Sequence, residues 1–301
     1  MLDVAQDAVT IRFALPSAEL SPYVTTYYYS ETRTSPQFPW LEDYLHPEWP
    51  NLRFLSQIQA QAVIGQGDLA DCPGFAVTGP TSQATRFRNR TGRSWGIGLL
   101  PLGWAKFMDV SAGDYADRYV DGLTDPAFAH FAPLARQLAV SSGDFKAELA
   151  TIQQHMASLL DRPIRKEGEI SAINRALVDS GIFTVTQLAE ETCLTIRTLE
   201  RLTRRSFGFT PKLLLRRQRF LRSLSQFMLD PSLKWLNAID FQYHDQAHFV
   251  RDFKRFMGMP PSAYGKLDHP FLRAAARARA EIAGAAVQGL HDPQRARGSR
   301  N

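Results

Sequence analysis

Cysteine is nearly missing from this 301-residue sequence; Cys72 and Cys193, one in each half, are the only two. Two thiols so far apart give no metal spacing and no disulfide framework. They read as small core residues of a protein in a reducing, cytoplasmic setting. Long apolar runs are missing too: none approaches the roughly 18 residues that a membrane span needs, so no membrane partner is expected. The opening stretch MLDVAQDAVTIRF is acidic early and not continuously apolar, so no secretory leader is expected. Histidine is sparse. His46, His130 and His155 are widely separated, and His244 and His248 lie four apart with no third ligand, so no metal or other cofactor is expected. A Gly-x-Ser-x-Gly elbow, a phosphate-binding glycine loop and a Cys/His nucleophile pattern are all absent, which argues against an enzyme.

What is present is ordinary in bulk and uneven in distribution. Apolar residues at 44% and charged residues at 22% suit a soluble globular protein, and the length allows two domains with separate cores. Residues 1–168 carry 14 Lys+Arg against 18 Asp+Glu, a net −4. Residues 169–266 carry 15 against 9, a net +6, and residues 267–301 carry 6 against 3, a net +3. The positive field is concentrated where a polyanion would bind.

Up to about residue 125 the chain reads as β. VTIRF, YVTTYYYS, LRFLSQIQAQAVIG, FAVTG and SWGIGLL are short β-branched and aromatic runs, and GQGDLADCPG and NRTGRS have the composition of hairpin turns. This spacing suits a sandwich or small barrel. PLGWAKFMDV and ADRYVDGL are expected to be short helices. Helical periodicity then appears at Phe131, Leu134, Ala135 and Leu138, and again at Phe145, Leu149, Ile152, Met156 and Leu159. The segment DRPIRKEGE is the expected linker.

The aromatics Tyr23, Tyr27, Tyr28, Tyr29, Phe38, Trp40, Tyr44, Trp49 and Phe54 crowd together. They either line an apolar effector pocket or fill the core and an interface patch. Trp95 and Trp104 read as core. Arg86, Arg88, Arg90 and Arg93 could hold an anionic effector or form one solvated strand face.

Beyond Ile170 nearly everything is helical, and two helix-turn-helix patterns follow each other. In the first, Val185, Leu188 and Ala189 share a face, Cys193 and Leu194 make the turn, and Thr195 is placed to cap the next helix. That helix directs Leu199, Leu202 and Phe207 inward. Arg197, Glu200, Arg201, Arg204 and Arg205 lie on the other side. Arg can grip guanine O6 and N7, and Glu can accept from cytosine N4. In the second, Trp235, Leu236 and Ile239 point inward, Ala238 is the small crossing residue, and Gln242 and Tyr243 make the turn. Asp245 caps a helix burying Phe249, Phe253 and Phe256, while Gln246, Ala247, Arg251 and Lys254 project outward. Gln246 can reach adenine N6 and N7 from the helix start.

The helix between them, TPKLLLRRQRFLRSLSQFML, has Pro211 in its first turn and Leu214, Leu215, Phe220, Leu221 and Leu224 for packing. About 19 residues span roughly 28 Å, which places two reading helices about one DNA turn, roughly 34 Å, apart. Groove contacts are therefore expected from Arg197, Glu200, Arg201, Arg204, Gln246, Ala247, Arg251 and Lys254. Thr195, Arg216 and Arg217 are expected at backbone phosphates.

LAEETCLTIRTLERLTRRSFGFTPKLLLRRQRFLRSLSQFML followed by WLNAIDFQYHDQAHFVRDFKRFMGMPPSAY resembles the AraC/XylS family of bacterial transcription regulators. Leu188, Ala189, Leu199, Arg201, Phe207, Gly208, Pro211, Leu215 and Arg219 carry the likeness first. Ala238, Asp245, Phe249, Phe253, Lys254, Gly258, Pro261 and Tyr264 carry it second. The likeness covers about 100 of the 301 residues, and DQAHFVRDFKRFMGMPPSAY is its most specific part. Where the family usually has Gly in each turn, this chain has Cys193 and Gln242, and Gly265 replaces the usual basic residue.

The resemblance implies a seven-helix domain that binds promoter DNA, activates and sometimes represses, and works with RNA polymerase. GFAVTGP and SWGIGLLPLGWAKFMDVSAGDYADRYVDGL are similar to the N-terminal domain of some AraC-like regulators. There, that half senses a small-molecule effector, forms a homodimer, or does both.

The expected fold is α+β: a β-rich, barrel- or sandwich-like N-terminal domain with a helical segment, then an all-α DNA-binding domain of two helix-turn-helix units joined by a long helix. The expected division is residues 1–165 for sensing and dimerisation, 166–268 for DNA binding, and 269–301 as an Ala/Arg-rich tail, disordered after an initial helix. Two alternatives compete. One is a DNA-binding module fused to a repair-type enzyme, for which Cys72 is the sole candidate nucleophile. The other is a purely structural dimeric DNA binder with no effector.

Overall fold

Short β-branched runs separated by Gly, Pro and Asp produce ten strands among the residues described. The computed structural model describes residues 8–179, 181–229, 240, 243–283 and 288–291. In chain order the strands are β1 (Val9–Ala14), β2 (Val24–Thr32), β3 (Leu41–Leu45), β4 (Asn51–Gln57), β5 (Ala60–Ile64), β6 (Ala70–Asp71), β7 (Phe75–Thr78), β8 (Thr85–Asn89), β9 (Gly92–Leu99) and β10 (Tyr119–Asp121). They form a six-stranded sheet, β1-β2-β9-β4-β7-β10, and a four-stranded sheet, β3-β8-β5-β6. Every pairing is antiparallel.

Tyr23, Tyr27, Tyr29, Trp49, Phe54, Trp95 and Trp104 are buried in the main core. Trp95, opposite Tyr29 on one side and Phe54 on the other, is a packing centre. Tyr28 lies across Gly96, where a Cβ would come within 1.9 Å of its ring, so this strand position has no room for a side chain. Phe38 is exposed, and the Arg88 and Arg90 guanidiniums both lie over the Trp40 ring, 4.4 Å and 4.8 Å from its centre.

Two local expectations fail. NRTGRS is no hairpin: β8 and β9 belong to different sheets, so the turn passes the chain between layers. ADRYVDGL is not a helix, because Tyr119–Asp121 finds the open edge of β7 and pairs with it. Such edge pairing depends on a distant strand and leaves no local signature.

Helices α1 (Pro101–Phe107), α2 (Ala132–Ala139) and α3 (Phe145–Ser158) follow, the last capped by Asp144. Glu148 of α3 accepts from Arg93 at 2.8 Å and from the Trp95 indole at 2.5 Å, fastening α3 to the sheet. The expected linker is shorter than its composition suggested. Gly168 already lies inside α4 (Glu167–Val178), and Arg162 is held by the Phe107 carbonyl and by Asp109.

Next come α5 (Val185–Glu191), α6 (Ile196–Leu202) and a wider turn at Thr203–Phe207. After it lie α7 (Pro211–Leu229), α8 (Gln246–Met257), α9 (Pro261–Tyr264) and α10 (Pro270–Ala283). Gly208, at φ 83°, closes the wider turn against Pro80, whose ring would lie 2.3 Å from an added Cβ. A left-handed, close-packed position of this kind requires glycine.

The tail does not trail away from the domain it follows. His269 Nδ1 lies 2.8 Å from Asp43 Oδ1, and Leu272 N donates to Asp43 Oδ2 at 2.8 Å. Phe271 packs edge-on to Phe87, and Gln218 donates to the Gly289 carbonyl at 2.6 Å. The expected disorder of HDPQRARGSRN falls, after His291, outside the described residues.

Candidate nucleic-acid interface

The first unit starts with a reciprocal capping box, in which Thr184 accepts from Gln187 N and the Gln187 side chain returns the bond. Leu188 and Ala189 are buried beneath it. The turn places Cys193 at φ 52°, the left-handed region where the family's usual glycine is unstrained. Leu194 N donates to the Ala189 carbonyl at 2.9 Å and redirects the chain. Thr195 then caps α6 by accepting from Thr198 N at 3.2 Å. The helix buries Leu199 and Leu202 and exposes Arg197, Glu200 and Arg201, with Arg204 exposed just beyond it.

The second unit repeats this logic. Asp245 caps α8 by accepting from His248 N at 2.6 Å. Phe249, Phe253 and Phe256 are buried; Gln246, Ala247, Arg251 and Lys254 are exposed. Trp235, Leu236, Ala238, Ile239 and Gln242 lie outside the described residues. All eight residues expected to enter DNA grooves are thus solvent-facing, four around each capped helix.

The long helix behaves differently. Arg217, expected at a phosphate, is fully buried. Its guanidinium stacks 3.7 Å from the Trp49 ring, and Nη1 donates to the Thr81 carbonyl at 2.9 Å. Burial pulls it down to about 9, against the opposing pull of Asp117 and Glu48. It joins the two halves of the chain and, so placed, cannot reach a phosphate.

Arg216, also expected at a phosphate, is half-buried and ion-paired with the fully buried Asp252. Asp252 also accepts from Arg219 and from the Tyr243 hydroxyl, each at 3.1 Å. Arg222 donates to Asp240 at 2.5 Å. Arg216, Arg219 and Arg222 recur every three residues along one side of α7 and fasten the second unit to it. Two buried carboxylates, Asp252 and Asp240, thus offset two of the five positive charges of α7.

Sequence reasoning passed over Ile196, which opens α6 and is 49% exposed. An apolar side chain there suits a thymine methyl group; the signal was an isoleucine directly after a helix cap. Arg255 is another exposed cation at the end of α8.

Elsewhere, burial pushes the Cys72 thiol up to about 11, so at neutral pH it is not a thiolate nucleophile. Among the described residues no cluster of His, Cys, Asp or Glu could hold a metal, and no helix is long and apolar enough to cross a membrane. Between the two sheets lies a cavity of about 150 Å³, to which Tyr28 contributes, in part answering the pocket reading of the aromatics.

Residues 188–266 match the family described as a helix-turn-helix domain. No curated protein matches the chain. Among solved structures, ToxT from Vibrio cholerae O395 is similar at 11% identity over 86% of this chain and 97% of that one, with a TM-score of 0.41. A second ToxT structure, bound to (E)-4-(8-methylnaphthalen-1-yl)but-3-enoic acid, is 11% identical over 75% of this chain and 98% of that one, with a TM-score of 0.40. The AraC-like transcriptional activator CuxR is 14% identical over 72% of this chain and 86% of that one, with a TM-score of 0.27.

Proposed function

We propose that the chain, with its helix-turn-helix domain at residues 188–266 and its resemblance to the AraC/XylS regulators, is a DNA-binding transcription regulator that reads a specific site through α6 and α8 together. The observation that carries this reading is the pair of side-chain-capped helices, each with an exposed polar face, joined by a 19-residue helix. A helix of that length spans roughly 28 Å, suited to successive major-groove segments on one face of DNA. Arg197, Glu200, Arg201, Arg204, Gln246, Ala247, Arg251 and Lys254 contact bases, with Ile196 adding an apolar contact. Thr195 meets the backbone at the start of α6. Arg216 and Arg217 are removed from the contact set, because Arg216 is paired with Asp252 and Arg217 is buried against Trp49.

The β-rich half supplies control. Its cavity suits a small-molecule effector, and its packing on both units provides a route by which occupancy changes the reading helices. At a promoter such a regulator acts on RNA polymerase, singly or as a homodimer.

The test is selection of bound genomic fragments, followed by affinity measurements at fixed salt. Arg201→Ala and Arg251→Ala should each lose about 1–3 kcal/mol of preference for the selected site over a scrambled one. Full discrimination by both variants would remove these residues from the reading set.

A further inference from the structure

The cavity between the sheets is mostly apolar; Ile11, Phe13, Ile64, Phe87, Phe271 and Ala276 are among its walls. One wall comes from the far end of the chain, because Phe271, Ala276 and Arg279 all belong to α10, beyond the DNA-binding domain. Gln288, also from the tail, accepts from Asn51 Nδ2 at 3.1 Å at the cavity's edge.

The charges in this cavity do not balance. Glu48 is ion-paired with Arg53, and Arg53 also donates to Thr78 at 2.8 Å, so that pair is internally satisfied. Arg279 is left over. It is only 8% exposed and its guanidinium lies 5.0 Å from the centre of the Phe13 ring. Nη1 is buried with no hydrogen-bond partner among the described residues. Burial pulls Arg279 down to about 10, opposed by Tyr28 and Glu48, so it is still a cation at neutral pH. His46 is held neutral by burial, and Tyr28 and Cys72 are pushed up and stay protonated. Among the described residues, the cavity therefore carries one uncompensated positive charge.

A buried cation without a partner is unfavourable, and folded proteins pair such groups. Unlike Arg217, whose guanidinium is stacked on Trp49 and donates to a carbonyl, Arg279 lines a cavity, and an anion entering that cavity would supply the missing partner. The apolar walls disfavour a strongly hydrated inorganic ion. A cavity of about 150 Å³ is known to accommodate a benzene-sized body.

We propose that this cavity binds a compact carboxylate, one negative charge on an apolar body of about five to eight carbons, and that Arg279 of the tail helix is its anion anchor. The proposal rests on the reading of the β-rich half as the effector-responsive half. It assigns the anchor to a segment outside both the sensing half and the DNA-binding domain. Because α10 follows the second unit through Tyr264 and His269, a ligand held by Arg279 ties that unit's end to the sheets.

The experiment is calorimetric titration of the full chain with hexanoate, octanoate and 3-phenylpropionate, with octan-1-ol as the uncharged control and inorganic phosphate as the apolar-free control. At least one carboxylate should bind one-to-one. Octanoate should bind about tenfold or more tightly than octan-1-ol, the size of one charge-assisted hydrogen bond, and phosphate should not bind. Arg279→Gln should weaken carboxylate binding by about tenfold and leave the alcohol within about twofold, while Arg279→Lys should recover most of the loss.

Equal affinity for acid and alcohol in the wild-type chain would overturn the proposal without any variant. So would unchanged carboxylate binding in an Arg279→Gln chain with a native circular-dichroism spectrum, or binding of none of the three carboxylates. The titration contains no DNA. A chain that binds octanoate but no DNA fails the regulator reading alone, and a chain that binds DNA but no carboxylate fails this proposal alone.

Discussion

Acid should loosen the seam between the two halves of the chain, and His46 is the group that senses it. His46 sits between β3 and β4, 7% exposed, with Nε2 2.8 Å from the hydroxyl of Tyr264 in the second unit. Burial first and His269 second pull it from 6.5 down to about 3. Asp43 lies in the same seam, held by His269 at 2.8 Å. The folded-state value is depressed, so the neutral ring's contribution is complete above pH 6.5. It is lost as the unfolded chain takes up a proton that the folded chain refuses, between pH 6.5 and about 3. At 1.36 kcal/mol per unit, going from pH 7.5 to 5.5 removes about 1.4 kcal/mol, and reaching pH 4.5 removes about 2.7 kcal/mol.

Other groups titrate over the same range, including His130 and His155, which burial also lowers. The measurement is therefore a difference. Urea denaturation of the wild type and of His46→Gln is compared at pH 7.5 and 5.5. Glutamine keeps a polar atom toward Tyr264 and cannot titrate. The wild type should lose about 1.4 kcal/mol more than the variant over this interval. A pH dependence equal in both chains, within about 0.5 kcal/mol, would refute the buried-neutral assignment.

Two further perturbations probe the DNA-binding half. Asp252→Ala removes the only carboxylate shared by Arg216, Arg219 and Tyr243 among the described residues. Breaking a buried pair costs about 3–5 kcal/mol. Because the Arg216 side chain is 34% exposed and partly screened, a loss of about 2–3 kcal/mol is expected in urea denaturation, and less than about 1 kcal/mol would mean that the cluster does not hold the second unit. Cys193→Gly relieves a left-handed residue at φ 52°. The variant should be more stable by about 1 kcal/mol despite its freer unfolded chain, and a lower melting temperature would show that the thiol contributes more than its backbone costs.

The legible features were those fixed over a few residues. The caps at Thr195 and Asp245 satisfy helix donors three positions away, so a polar residue before a periodic run reveals them. The exposed faces of α6 and α8 follow from the same 3.6-residue period that places Leu199 and Phe253 inside. The positive backbone angle at Cys193 could be read because the family's usual residue at that turn is glycine.

Tertiary structure alone decided which cations face solvent. Nothing near Arg217 distinguishes it from Arg216 or Arg219. Its burial depends on Trp49 and on the Glu48 carbonyl, 169 residues away in sequence. Nor does an Ala/Arg-rich tail announce that Arg279 will enter a cavity formed by strands near the start of the chain. Periodicity determines which residues share a face. What that face meets is set by contacts whose partners lie hundreds of ångströms apart along an extended chain. Those contacts turned one expected DNA-binding arginine into a link between the two halves of the chain and a tail arginine into a buried cation lining the cavity between the sheets.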